Sequence, residues 1–219
     1  MYRTLLAVIA TIGVAGAALS MALLSAEAED SLTPRAYIAD LAKPPQPPKP
    51  TPIPTATPYA GPIASIYLGS ASIFGADPVG EADTHFVNGR ELLQDPRYPA
   101  EIVWYPRFGR PGWGGGNTIF AAHVNYVGHG NGPFAYLTSA QAGDALYVTM
   151  GNGTRYTYVV RTVEIWHLAD LDMDLVVYPG LSSNTERITL ISCGGTFIPA
   201  AVGGEYDSRV ILVAERSVD

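Results

Sequence analysis

Arg187–Cys193 reads RITLISC and runs directly into Gly194-Gly195. β-branched residues bounded by a glycine pair spell a short strand that ends at a thiol. The same pattern recurs on either side. Downstream is RVILVAE (Arg209–Glu215); upstream are RYTYVVRTVEIWH (Arg155–His167) and DALYVTM (Asp144–Met150). Further back stand NTIFAAHV (Asn117–Val124), EIVWY (Glu101–Tyr105) and ASIYL (Ala64–Leu68). Gly151-Asn152-Gly153 between two of these runs is a hairpin signal. Within Arg155–His167 the apolar positions are Tyr156, Tyr158 and Val160, then Val163 and Ile165. The inward face changes parity near Arg161, which predicts a bulge or a barrel corner there. Several short strands at this spacing predict an all-β sandwich or closed barrel.

The 219 residues are enough for one domain with appendages. The formal net charge is −7, and Lys43 and Lys49 are the two lysines. No stretch supplies the basic face that a nucleic-acid partner requires. Thr4–Leu24 is an uncharged run of 21 residues, about the length that spans a bilayer core. Arg3 precedes it, and Glu27, Glu29 and Asp30 follow, so the remainder is expected outside the cell. Ala26-Glu27-Ala28 offers a cleavage site for a signal peptide, but the run is longer than the usual apolar core of one. Lys43–Pro62, KPPQPPKPTPIPTATPYAGP, should be an extended polyproline spacer. The expected organisation is residues 1–28 as a membrane anchor or signal segment, 29–61 as a proline-rich linker and 62–219 as the domain.

Cys193 is the single cysteine, so no intramolecular disulfide can form. It is a packed thiol, an intermolecular bridge or a reactive group, and burial is the commonest state of a free cysteine. Two further residues suit chemistry with it: His123 at the end of a strand, and Arg209 opening the last one. A strand-end nucleophile beside glycines is held rigidly and leaves room for a substrate backbone. An imidazole can take the thiol proton and return it to a leaving amine. A guanidinium can donate to an oxyanion or to substrate carbonyls. A packed thiol, a strand-end histidine and a rim arginine are the ordinary alternatives.

Thr189–Cys193, TLISC, resembles the Thr-Leu-x-Thr-Cys signature of sortases, a family of cysteine transpeptidases. Arg209 in RVILVAE fits that family's arginine, and NTIFAAHV fits its strand leading to the histidine. The resemblance extends through GPFAYL, the Gly143-Asp144 turn and VWYP, over most of Pro62–Glu215. CGGTF and HVNYVGHG look more like the class D, E or F groups than class A. The resemblance implies an eight-stranded β-barrel with short helices. It implies cleavage of a C-terminal sorting signal of surface proteins, often Leu-Pro-x-Thr-Gly, through a thioacyl intermediate. An amine of a cell-wall precursor or a pilin lysine then resolves the intermediate. Mapped here, Cys193 is the nucleophile, His123 the general acid/base and Arg209 the oxyanion or substrate-positioning group. No cofactor or metal ligand is assigned. Two departures stand out: Ser192 replaces the usual Thr, and Ala122 the frequent Gly.

His85, in a polar linker, His129, in GHGNG, and His167, at a strand end, are weaker candidates. Asp170, Asp172 and Asp174 invite a calcium reading, but an EF-hand would need Gly and Glu where Leu175 and Leu181 stand. Ala169–Glu186 matches the family's loop bordering the substrate groove. A hydrolysing cysteine peptidase and an inactive anchored binding module are the competing functions. The Ile-Ser-Cys-Gly context argues against an L,D-transpeptidase, whose nucleophile sits in Ser-His-Gly-Cys.

Overall fold

The structure, a computed structural model, describes residues 58–75, 79–201 and 203–217. In chain order the strands begin with β1 (Ile63–Tyr67), β2 (Gly80–Glu81), β3 (Thr84–Val87), β4 (Arg90–Leu93), β5 (Ile102–Trp104) and β6 (Gly116–Ala122). They continue with β7 (Asn125–Tyr126), β8 (Gly130–Asn131), β9 (Ala145–Met150), β10 (Arg155–His167), β11 (Thr185–Pro199) and β12 (Gly204–Ser217). One α-helix, α1, spans Met173–Val177. Eight strands form one sheet in the order β1-β9-β10-β12-β11-β6-β5-β2. The β11–β6 and β2–β5 pairs are parallel, and the other neighbours in this sheet are antiparallel.

The fold is therefore all-β, with a strongly curled eight-stranded sheet where the sequence predicts a barrel. Among the described residues its outer strands are not laddered together, and one backbone bond joins the two edges, from Val79 N–H to the carbonyl of Ile63 at 3.2 Å. The seven strands read from the sequence are all present. β11 and β12 run further than expected, past Cys193 and Arg209, as a projecting hairpin arm. Gly151–Gly153 closes the β9–β10 hairpin, with Asn152 Oδ1 accepting from Thr154 N–H at 3.0 Å. The β10–β12 register shifts between Val160 and Thr162, which places the expected bulge at Arg161.

Side-chain parity divides the apolar residues into two sets. Even-numbered Phe120, Ile188, Leu190, Val210, Leu212 and Ala214 fill the main core. Odd-numbered Ile119, Ile191 and Ile211 face the other way and join Val103, Tyr105 and Val177 in a second cluster beneath α1. Buried Glu186 ties distant segments together. It accepts from the backbone N–H of Gly112 at 2.7 Å, from Gly114 at 3.2 Å and from the hydroxyl of Tyr158, and it pairs with Arg216 at 2.9 Å. Among the described residues no helix is long and apolar enough to cross a membrane. Thr4–Leu24 and most of the proline-rich segment lie outside the described residues.

Candidate active site

The odd-numbered face leads directly to the chemistry. Ile191, on the second cluster, is followed two residues later by Cys193, which points to the same side. Across the antiparallel β11–β12 ladder, Cys193 is paired with Arg209. On its other side, the parallel register puts Ile191 level with Ala121 of β6. The ladder ends there, and His123 follows β6 by one residue while Cys193 continues β11. Three neighbouring segments thus bring Arg209, Cys193 and His123 to the same end of the sheet. All three line one cleft of about 450 Å³.

Strand ends are held in register by the residues that depart from the family pattern. Ser192 is buried, and its hydroxyl donates to the carbonyl of Ala122 at 3.1 Å. This bond locks the residue before the thiol to the residue before the imidazole. Both side chains point into the main core, and Ala122 is itself buried. The serine hydroxyl keeps a bond with a defined partner, and a small side chain is accommodated at Ala122.

Cys193 is half-buried, and burial pushes its thiol up from the ordinary cysteine range. The Arg209 guanidinium pulls in the opposite direction, while Asp95 and Glu205 add to the rise. A thiol raised in this way needs a base beside it to act as a nucleophile. Arg209 donates to the carbonyls of Tyr206 at 3.3 Å and Ser208 at 3.0 Å, with Glu205 at 3.5 Å. A guanidinium has five N–H donors, so donors remain for a ligand in the cleft. His123 Nε2 lies 2.9 Å from the carbonyl of Pro96, and its ring packs edge-on to Tyr126 at 5.1 Å.

The glycine pair has a different role from the one the sequence suggests. A side chain at Gly194 would meet Val210 at 2.6 Å, so no open space for substrate exists there. Gly195 adopts a φ of 78° where the β11–β12 register slips before Phe197. Asp207 fastens this bulge, accepting from Thr196 N–H at 2.9 Å and from the Ser208 hydroxyl at 2.7 Å. The pair lets the arm turn away immediately after the thiol.

Leu93, Ala121, Leu168, Leu171 and Val177 give the cleft an apolar part beside its charged and polar residues. Ala169–Glu186 supplies one wall, as expected, through α1. The acidic DLDMD run serves this helix: Asp172 is its N-cap and accepts from Asp174 N–H at 3.0 Å. Buried Asn117, unassigned from sequence, holds the other end of α1. Its amide donates to the carbonyls of Val176 at 2.9 Å and Val177 at 3.3 Å and accepts from Thr189 at 2.8 Å.

The opposite wall is the β3–β4 ribbon and the segment after it. His85 sits in β3 and lines the cleft rather than lying in a linker. His129 packs against Tyr126 at 5.7 Å, one ring removed from His123. His167 ends β10 and is not among the cleft residues. Asp95, Pro96 and Glu205 reach the cleft without any motif that marks them in the sequence.

A cleft with a thiol, an imidazole and a guanidinium at one end of a curled all-β sheet has the groups that a cysteine acyl-transfer reaction requires. The model of the sortase domain matches residues 78–217, more than half of the chain, and the protein belongs to the sortase family. No curated protein sequence matches the chain. Solved structures similar to it include the SrtA sortase from Actinomyces oris, 19% identical, covering 73% of this chain and 81% of that one at a TM-score of 0.48. Sortase D5 transpeptidase from Clostridium perfringens is 16% identical, covering 70% and 78% at a TM-score of 0.46. A lid mutant of sortase A from Corynebacterium diphtheriae is 18% identical, covering 73% of both chains at a TM-score of 0.47. Family membership rests on the match over residues 78–217.

Proposed function

We propose that this chain is a membrane-anchored, extracytoplasmic sortase that cleaves the C-terminal sorting signal of surface proteins and transfers the acyl part to an amine. The observation that carries the reading is the pairing of Cys193 with Arg209 across β11 and β12 beside His123 in one cleft. The Cys193 sulfur attacks the scissile carbonyl as His123 takes the thiol proton. Arg209 donates to the oxyanion or to neighbouring substrate carbonyls. The C–N bond breaks as His123 returns the proton to the departing amine, leaving a thioester on Cys193. An incoming amine, from a peptidoglycan precursor or a pilin lysine, attacks that thioester and frees the thiol. Residues 1–28 anchor the chain in the cell membrane, and 29–61 hold the domain away from it.

A panel of sorting-signal peptides, incubated with the protein, tests the reaction. Mass spectrometry should show a thioacyl adduct on Cys193, a hydroxamate when hydroxylamine is added and a new peptide bond with a glycine-type amine. Cys193→Ala should abolish all three products. Hydroxamate formed at the wild-type rate by Cys193→Ala would overturn the mechanism. Product that is only hydrolysed, with or without amine, would identify a peptidase.

A further inference from the structure

We infer that the main-chain carbonyl of Pro96 is a positioning group for His123, fixing its tautomer so that Nδ1 is the nitrogen that exchanges protons in the cleft. The inference deepens the proposed reaction and rests on His123 as its acid/base. The bond itself is the 2.9 Å contact between His123 Nε2 and Pro96 O. A carbonyl only accepts, so Nε2 must carry the proton. In the neutral ring Nδ1 then holds the lone pair. The thiol proton passes to Nδ1 as the S–C bond forms, and from Nδ1 to the amine nitrogen as the C–N bond breaks. The Nε2 proton stays in place throughout.

The segment presenting this carbonyl is built to stay still. Pro96 is buried, although both its neighbours Asp95 and Arg97 are exposed. Before it, Gln94 N–H donates to Asp83 O at 3.0 Å, and the buried Tyr105 hydroxyl donates to Gln94 O. After it, Glu101 Oε2 accepts from Arg97 N–H at 2.8 Å and from Tyr98 N–H at 3.3 Å. Tyr126 packs edge-on against the imidazole and limits its tilt. The ring is thus gripped at Nε2 and at one edge by elements outside the sheet that carries Cys193.

Two measurements test the inference without substrate, so its failure is distinguishable from failure of the transpeptidase reading. In the first, the protein is labelled with ¹⁵N-histidine, and His123 is assigned by its absence in His123→Gln. Long-range proton–nitrogen correlation on the neutral ring at alkaline pH should show a proton on Nε2 and none on Nδ1. A proton on Nδ1, or two averaged nitrogens, would overturn the inference. In the second, the Pro96–Arg97 amide is replaced by an ester, which weakens this carbonyl as an acceptor. Glu101→Ala is the comparison, because it breaks the same Arg97 N–H contact while keeping the amide carbonyl. The ratio of Nδ1-protonated to Nε2-protonated neutral ring should rise further in the ester than in Glu101→Ala, by about threefold. Equal ratios in the two proteins would refute the positioning role.

Discussion

At the scale of single residues, the site depends on opposing influences on one thiol. Burial, Asp95 and Glu205 raise Cys193, and Arg209 lowers it. Alkylation of Cys193 by iodoacetamide should therefore rise with pH only above the range of a free cysteine. Removing the cation in Arg209→Ala should move that curve to still higher pH, and Asp95→Asn should move it lower. A half-maximal rate below that of free cysteine would mean that a thiolate rests in the cleft. Arg209 acts through geometry as well as charge. Arg209→Lys keeps the charge but loses the planar fork that can serve the Tyr206 and Ser208 carbonyls and a ligand together. Transpeptidation by Arg209→Lys should fall by roughly 10²-fold with the fold intact, as read from steady-state kinetics beside a circular dichroism spectrum. Near-normal turnover would show that only charge is used there.

At the scale of elements, the short helix α1 cannot hold itself in place. Five residues make too few intrahelical bonds to be stable alone, so tertiary contacts must fix it. Val177 supplies an apolar contact, and Asn117 of β6 donates two hydrogen bonds to the helix end while Thr189 of β11 donates to its amide oxygen. Asn117→Ala leaves two helix-end carbonyls and the Thr189 hydroxyl without this partner. A loss of about 2 kcal/mol in urea unfolding is expected. Because α1 walls the cleft, the KM for a cognate peptide should rise in the same variant. A stability loss with an unchanged KM would show that α1 does not border the bound peptide.

At the scale of the whole molecule, Glu186 ties four parts of the chain together at one buried point. It reaches the glycine-rich segment at Gly112 and Gly114, β10 at Tyr158 and β12 at Arg216 from its own place on β11. The Glu186 side chain is fully buried, and removing it strands the Arg216 guanidinium. Glu186→Ala should lose roughly 3–5 kcal/mol, a large share of a domain's stability, read as a lower urea midpoint. A small change would show that water replaces the carboxylate freely. The proposed topology gives a second expectation at this scale. Protein extracted from cell membranes should retain residues before Ala28, and N-terminal sequencing of the mature form checks it. A soluble main species beginning near Glu29 would overturn the anchor.

Much of this was legible in the chain because it depends on local pattern. Alternating β-branched and aromatic residues marked seven strands, and the parity change at Arg161 marked the β10 bulge before any coordinates. TLISC, AAHV and RVILVAE marked the three residues that the sheet brings to one cleft. What the sequence left open depends on partners distant along the chain. Hydrophobic alternation predicts a strand but not its neighbours, so the β11–β6 parallel pair that sets Cys193 beside His123 had to come from packing. Among the described residues the edges of the sheet meet through one bond at Val79 rather than a ladder, which no strand pattern encodes. Glycine after the thiol looked like room for substrate, yet Val210 fills that room, and the residue's need is a left-handed turn. Pro96 acts through a carbonyl that every residue type carries, so its identity gives no sign of the bond. Asn117 and Glu186 read as ordinary polar residues until burial left their hydrogen bonds to be met within the protein. Local sequence thus determined which segments are strands and marked the three candidate side chains that meet in one cleft. Tertiary structure alone decided which backbone groups and buried polar residues hold them in place, because those contacts exist only after distant segments have packed together.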